Sequence, residues 1–261
     1  MNTLTVILPA YNEDQNIEAL VSSWQQYKEV LLDKYGLILQ VVIVNDGSKD
    51  RTAEIAEGLE KKYPNLTLIS HPYNKGLGEA VKTGISYFLE HCPESLYMCL
   101  MDCDNTQDPC YITDMLDCVN QTGADVVIAS RYRKGSAVMG VSGLRLFMSG
   151  GARYVFSMLL HIPHVRDYTC GYRVYSRKIL QRAYARFGKE LIEESGFTCM
   201  AELLYKLFTC GAVFGEIPFV LRYDFKKGTS KMSVLKTAVS SIRLALRLKK
   251  IKITGSKLHS S

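Results

Sequence analysis

A chain of 261 residues with 47% hydrophobic and 22% charged side chains can bury a substantial core and is too apolar to be disordered. No apolar run reaches the roughly 18–20 residues that a bilayer-spanning helix needs, and Met1-Asn2-Thr3-Leu4 leads straight into a strand, so neither a membrane span nor a secretory leader is expected. The net charge is +6 and eight cysteines lie scattered without a C-x-x-C pair, which argues against a zinc site or disulfide framework and for reduced thiols in a cytoplasmic protein.

Strand and helix signals alternate through the first half. Leu4 to Leu8 predicts a strand stopped by Pro9, and an amphipathic helix follows from about Asp14 to Leu32. Ile38 to Val44 predicts a second strand, with a turn at Asn45 to Asp50 and a helix from about Arg51 to Tyr63. Leu66 to Ser70, Leu96 to Met101 and Val126 to Ala129 read as three further strands, with a helix over Gly76 to His91. Such alternation with short connections implies a mostly parallel sheet flanked by helices, with right-handed crossovers. Ligands of such a sheet bind beyond the carboxyl ends of the strands. Neither a G-x-G-x-x-G after the first strand nor a G-x-x-x-x-G-K-[ST] is present, so the common glycine-loop nucleotide folds are disfavoured. Asn74-Lys75-Gly76-Leu77-Gly78 reads equally as the flexible start of a helix and as a ligand contact.

The fourth strand ends in Asp102-Cys103-Asp104. Two carboxylates one residue apart at that edge suit a hard divalent cation, Mg²⁺ or Mn²⁺, that keeps positions open for phosphate oxygens. Aspartates also end strands as turn formers and helix caps, and that reading of the pair stands beside the first.

Four segments in order carry a more specific signal: Pro9-Ala10-Tyr11-Asn12-Glu13, Val44-Asn45-Asp46-Gly47-Ser48-x-Asp50-x-Thr52, Asn74-Lys75-Gly76-Leu77-Gly78 and Asp102-x-Asp104-x-x-Gln107-Asp108-Pro109. This set resembles family 2 glycosyltransferases with the GT-A fold, a Rossmann-like fold of nucleotide-diphospho-sugar transferases. The resemblance implies that Pro9, Tyr11 and Glu13 line a nucleotide pocket and that Asp46 meets the base or ribose. It implies further that Asp104 is the main metal ligand to the diphosphate. Asp102 contacts ribose or the metal shell, and Gln107 completes that shell.

Arginines mark the second half. Arg131 closes the fifth strand, and Arg145 and Ser149 stand four apart, on one face if helical. Asp167 to Arg173, Ser195-Gly196-Phe197 with Glu202, and Arg222 before Gly228-Thr229-Ser230-Lys231 follow. This order is similar to the dolichol-phosphate mannose synthase branch, which loads sugars onto polyprenyl phosphates. The resemblance places Arg131, Arg145, Ser149 and Arg222 around the transferred sugar and the lipid phosphate, with Ser230 and Lys231 in the neighbouring loop. Arginine's planar fork suits phosphate. A phosphate monoester, with second pKa ≈ 6, is largely ionised at neutral pH and needs no general base. Were the acceptor a hydroxyl, Asp167, Glu193 or Glu194 would be the base candidates.

After Asp224 ten basic residues and no acidic one occur, leaving 22 Lys and Arg against 26 Asp and Glu in the body. Val234, Leu235, Ala238, Val239, Ile242, Ala245 and Leu246 recur at helical spacing, with Lys236, Arg243 and Arg247 off that stripe. A basic amphipathic helix suits a membrane interface; packing on the protein's own sheet is the competing reading. Val141 to Leu160 reads as a second apolar helix, too interrupted by arginines and glycines to span. The expected organisation is a GT-A domain over residues 1–232 and an amphipathic basic helix and tail over 233–261. The expected reaction is inverting, metal-dependent transfer of a hexose from a nucleotide diphosphate sugar to a polyprenyl phosphate by an enzyme peripheral on the cytoplasmic membrane face. Lacking a spanning segment, it would reach the lipid through its tail or a membrane-anchoring subunit. No nucleic-acid partner is expected, because the basic tail lacks interleaved aromatics. Two alternatives remain open: a saccharide or other hydroxyl acceptor, and an inactive nucleotide-sugar-binding, membrane-associated protein.

Overall fold

The computed structural model describes residues 1–140, 156–225 and 234–251, with the side chains of 234–240 left aside. Its centre is a seven-stranded sheet in the order β3-β2-β1-β4-β7-β5-β8. The strands are β1 (Asn2–Ala10), β2 (Leu37–Asn45), β3 (Leu66–Ser70), β4 (Ser95–Leu100), β5 (Val126–Ser130), β7 (Arg173–Ser176) and β8 (Phe214–Pro218). A two-stranded sheet pairs β6 (Ala137–Met139) with β9 (Val220–Arg222) in parallel. The α-helices are α1 (Ile17–Gln25), α2 (Lys28–Tyr35), α3 (Thr52–Lys62), α4 (Leu77–His91), α5 (Tyr111–Thr122), α6 (Arg177–Phe187), α7 (Cys199–Thr209) and α8 (Val234–Leu248), with short 3₁₀ turns at Gly188–Leu191 and Tyr223–Phe225. Leu4, Val6, Ile7 and Leu8 of β1 and Val41 to Val44 of β2 are all buried, as continuous apolar runs must be in a sheet covered on both faces.

β1 outruns the expected strand, because Pro9 and Ala10 stay in register with Val44 and Asn45 of β2. Pro9 is tolerated because its nitrogen faces the β4 side, where pairing has ended at Leu100, so no ladder bond is lost. The single helix expected over Asp14 to Leu32 is two. Gln26 and Tyr27 donate their backbone N–H groups three residues back, to Ser23 and Trp24. That tighter turn redirects the chain around the fully buried Trp24, against which the Tyr27 ring packs edge-on at 6.4 Å.

The sheet is parallel except for β7, which runs antiparallel between β4 and β5. Running backwards, β7 starts at the carboxyl edge of its neighbours and delivers the preceding residues 167–172 there. At the opposite edge Arg177, just after β7, donates to the carbonyls of Ser95 at 2.6 Å, Phe88 at 2.8 Å and Cys92. It thereby satisfies carbonyls at the C-terminal end of α4 that have no intrahelical partner. Replacing it by methionine should lower stability by about 2 kcal/mol, read as a shift of the urea midpoint, and leave the ligand edge undisturbed.

Candidate active site

The loops after β1 and β2 are knitted together by hydrogen bonds. Asn12, in a left-handed conformation at φ 53° that asparagine tolerates best after glycine, receives a bond from the backbone of Lys49 and donates its own N–H to Ser48. The N–H of Glu13 donates to Thr52 Oγ1 at 2.8 Å. Pro9, Tyr11 and Glu13 therefore stand at the carboxyl end of β1, beside the loop that follows β2. Asp46, 3% exposed, spends its carboxylate on protein: Oδ1 accepts from the Lys75 N–H and meets His71 Nδ1 at 2.7 Å, and Oδ2 accepts from the Gly76 N–H. It thus pins the Asn74–Gly78 turn to the end of β2.

That turn is also braced from outside. Gly76 has φ +95°, and a Cβ there would lie 2.6 Å from the Ser195 carbonyl oxygen; at Gly78 it would lie 1.8 Å from that of Glu194. Glycine is required by this approach of loop 193–196, whose Ser195 carbonyl accepts the Gly78 N–H at 2.9 Å. Loop 193–196 is held in turn by Glu202 of α7. The Glu202 carboxylate is fully buried; Oε2 accepts the backbone N–H groups of Glu193 and Glu194, and Oε1 accepts from Lys206 and Arg247, both at 2.9 Å.

The carboxylate pair follows β4. The Asp102 carboxylate accepts from Gln107 Nε2 at 2.6 Å, while Gln107 Oε1 accepts the Asp102 N–H. Gln107 is buried and clamps Asp102 from the side. On the other side a Cβ on Gly171 would lie 2.6 Å and 2.8 Å from the two Asp102 oxygens. Asp104 Oδ1 accepts from the hydroxyl and N–H of Thr106. The loop is joined to the first rim through Asn105, at φ 58°, whose amide donates to Asn16, which itself donates to Glu13. Cys103 is buried between the aspartates. Among the described residues no group of three or more Asp, Glu, His or Cys could enclose a metal. Two carboxylates at a sheet edge nevertheless fit Mg²⁺ or Mn²⁺, cations commonly held by one or two carboxylates plus substrate phosphates. Asp102 and Asp104 are the residues that would hold one.

Arg131 forms a two-pronged pair with Asp167: Nε and Nη2 donate at 2.8 Å and 2.7 Å, and Nη2 also donates to Thr169. Asp167 is fully buried. Burial alone would raise its carboxyl, but Arg131 and the backbone N–H groups of Arg131 and Thr169 outweigh it and hold it below the ordinary range. Beneath it Glu216 accepts the backbone N–H groups of Arg166 and Asp167, and burial pushes its own carboxyl up. Arg222 ties β9 to the carboxylate loop through its N–H on the Thr106 carbonyl, while its guanidinium pairs with Asp224 and lies over the Phe225 ring at 3.9 Å.

The structure therefore gathers Pro9, Tyr11, Glu13, Asp46, Asp102, Asp104, Gln107, Arg131 and Arg222 at the carboxyl edge. Arg145, Ser149, Ser230 and Lys231 lie outside the described residues. Gly171, His71, Lys206 and Glu216 have structural parts here that the sequence did not assign. Gly171 lay within a noted motif, but the others carry no local signature.

The family model for Glycosyl transferase family 2 matches residues 5–183. A polyprenol monophosphomannose synthase of Mycolicibacterium smegmatis is 29% identical over 229 residues, 87% of this chain and 80% of that protein. The dolichyl-phosphate beta-glucosyltransferase ALG5A of Trichomonas vaginalis is 27% identical over 251 residues, covering 93% and 73%. In fold, the glucosyl-3-phosphoglycerate synthase of Mycobacterium tuberculosis, crystallised with phosphoglyceric acid, superposes with a TM-score of 0.66 at 18% identity, over 97% of this chain and 82% of that one.

Breaking the buried pair should be severe. Asp167→Asn leaves Arg131 buried without its counter-charge and should cost about 3–5 kcal/mol in denaturant unfolding. Because the folded carboxyl lies below its unfolded value of about 3.9, the pair's stabilisation is present above that pH and lost as pH falls through the folded value. Thermal midpoints measured from pH 6 downward should fall below about pH 4 in the wild type, and less steeply in the variant.

Proposed function

This chain belongs to glycosyl transferase family 2, and from that premise we propose that it transfers a hexose from a nucleotide diphosphate sugar to a polyprenyl phosphate at the cytoplasmic face of a membrane. The enzyme is a glycosyltransferase of GT-A fold. The observation that carries the acceptor reading is the commitment of the carboxylates. Asp167 is buried and spent on Arg131, Glu193 pairs with Lys206, and Glu194 pairs with Arg247 and Thr198. None of these three is poised to take a proton from a sugar hydroxyl. A phosphate acceptor, already anionic, removes the need.

The donor nucleotide lies along the rim of Pro9, Tyr11 and Glu13, with the turn held by Asp46 closing its far side. The divalent cation held by Asp102 and Asp104, when bound, supplies positive charge where the nucleoside diphosphate departs. An acceptor phosphate oxygen attacks the anomeric carbon from the face opposite the diphosphate. The new C–O bond forms as the old one breaks, its electron pair leaving on the diphosphate oxygen, and the configuration inverts. Gln107 and Gly171 keep the Asp102 carboxylate aimed. Arg131, fixed by Asp167, and Arg222 orient the anionic reactants. Arg145, Ser149, Ser230 and Lys231 retain the acceptor-side roles that the resemblance implies.

Contact with the lipid surface is assigned to α8, with an anchoring subunit as a further partner. Among the described residues no helix is long and apolar enough to cross a membrane. Of the expected apolar stripe, Ala245 is buried on the protein's own body with Ser241, Leu244 and Leu248. Ile242 and Leu246 are 47% and 55% exposed, beside the basic Arg243, Lys249 and Lys250.

A radiolabelled transfer assay with a panel of nucleotide sugars, Mg²⁺ or Mn²⁺ and a short polyprenyl phosphate tests the reaction. Label should enter the lipid phase, and Asp104→Ala should reduce the rate about 10³-fold. Gly171→Ala, which displaces Asp102 by its added methyl, should reduce it about 10²-fold. Donor binding without lipid product would redirect the reading to a hydroxyl acceptor or a silent binder. The membrane assignment is tested by flotation with anionic vesicles: Ile242→Asp with Leu246→Asp should lower bound protein at least about tenfold, and undiminished binding would overturn it.

A further inference from the structure

The C-terminal helix does more than face outward. Its last turn reaches back to the body through Arg247, whose Nη2 lies 3.1 Å from Glu194 Oε1 and 2.9 Å from Glu202 Oε1. Glu194 belongs to the loop that braces the Asn74–Gly78 turn, and Glu202 holds the same loop by two backbone N–H groups. From Arg247 to Asp46 the contacts are continuous: guanidinium to the Glu194 and Glu202 carboxylates, Glu202 to the backbone of residues 193 and 194, the Glu194 and Ser195 carbonyls against Gly78 and Gly76, and the Gly76 N–H on Asp46.

We propose that Arg247 is a positioning residue for the donor nucleotide, holding loop 193–196 where it braces Gly76 and Gly78 and, through them, the turn pinned by Asp46. The inference rests on the reading of that rim as the donor site. Its physical ground is charge balance. Glu202 is fully buried, and without Arg247 it keeps, among the described residues, Lys206 as its cation, which is shared with Glu193. Glu194 loses its cation altogether among the described residues and keeps the Thr198 hydroxyl. A loop carrying two adjacent carboxylates then relaxes toward solvent, and the turn keeps Asp46 on its inner side but loses the outer brace against Gly76 and Gly78. Because α8 also carries the exposed Ile242 and Leu246, the element that meets a lipid surface and the element that steadies the donor turn are one helix.

The test uses the full chain and four variants, Arg247→Ala, Arg247→Lys, Arg247→Glu, and Arg247→Glu combined with Glu194→Arg. GDP and UDP are titrated calorimetrically with Mg²⁺ present, and donor KM and kcat are measured beside them. Arg247→Ala should weaken binding of whichever nucleotide the wild type takes about tenfold. Donor KM should rise in step while kcat at saturating donor stays within about twofold, the signature of lost uniform binding. Arg247→Lys should recover most of the affinity, and Glu194→Arg should recover part of what Arg247→Glu loses. If the alanine variant unfolds, the lysine variant and the charge swap still decide the matter. Nucleotide binding that ignores residue 247, or a fall in kcat at unchanged KM, would overturn the inference alone. A wild type that binds neither nucleotide would overturn the donor reading and the inference together.

Discussion

A carboxylate sealed from water at Asp167 is the constraint on which the ligand edge depends. An ionised group there is tolerable only with a counter-charge and several hydrogen-bond donors in place, and the fold supplies both from opposite sides. Arg131, just after β5, brings both its guanidinium and its backbone N–H, and further N–H donors come from the loop that Asp167 itself begins. Meeting this demand folds residues 167–172 back over the sheet edge, so that Gly171 arrives against Asp102 and β7 enters between β4 and β5. β4 and β5 are therefore parted, and the widened edge receives a loop that neither strand could provide.

A second buried carboxylate organises the other flank by the same logic. Glu202 draws in the N–H groups of residues 193 and 194 together with Lys206 and Arg247, and so presses the Ser195 carbonyl onto the Asn74–Gly78 turn. Asp46 closes that turn from within. The three carboxylates Asp46, Asp167 and Glu202 serve the architecture, while Asp102 and Asp104 sit at the strand end where a cation and a diphosphate can be met. Burial separates the two classes. A carboxylate saturated by protein donors in a dry site has little capacity left for a ligand.

Much of this was legible in the chain. The alternation of apolar runs and amphipathic segments is a property of local sequence, and β2, β3, β4 and β5 came out within a residue or two of their expected bounds. The order of the short motifs sufficed for the family. Less legible were the break between α1 and α2, where a buried tryptophan redirects the chain, and β7, whose four residues are too short to carry a period. The amphipathic stripe of α8 was visible, but which of its residues face the body was not, because periodicity names a face without naming what covers it.

The sequence by itself determined the α/β class, which follows from hydrophobic periodicity, and the family, which its short ordered motifs resemble and the family model over residues 5–183 bears out. Only the tertiary structure decided what each charged side chain does at the ligand edge. That Arg131 is fixed by Asp167, that Gln107 clamps Asp102, and that Arg247 reaches Glu194 and Glu202 are pairings across 36, 5, 53 and 45 positions. The physical reason is that a charge's role is set by how far water is excluded from it and by which opposite charges share its enclosure. Both are properties of packing, which brings distant segments together and leaves no mark at any single position of the chain.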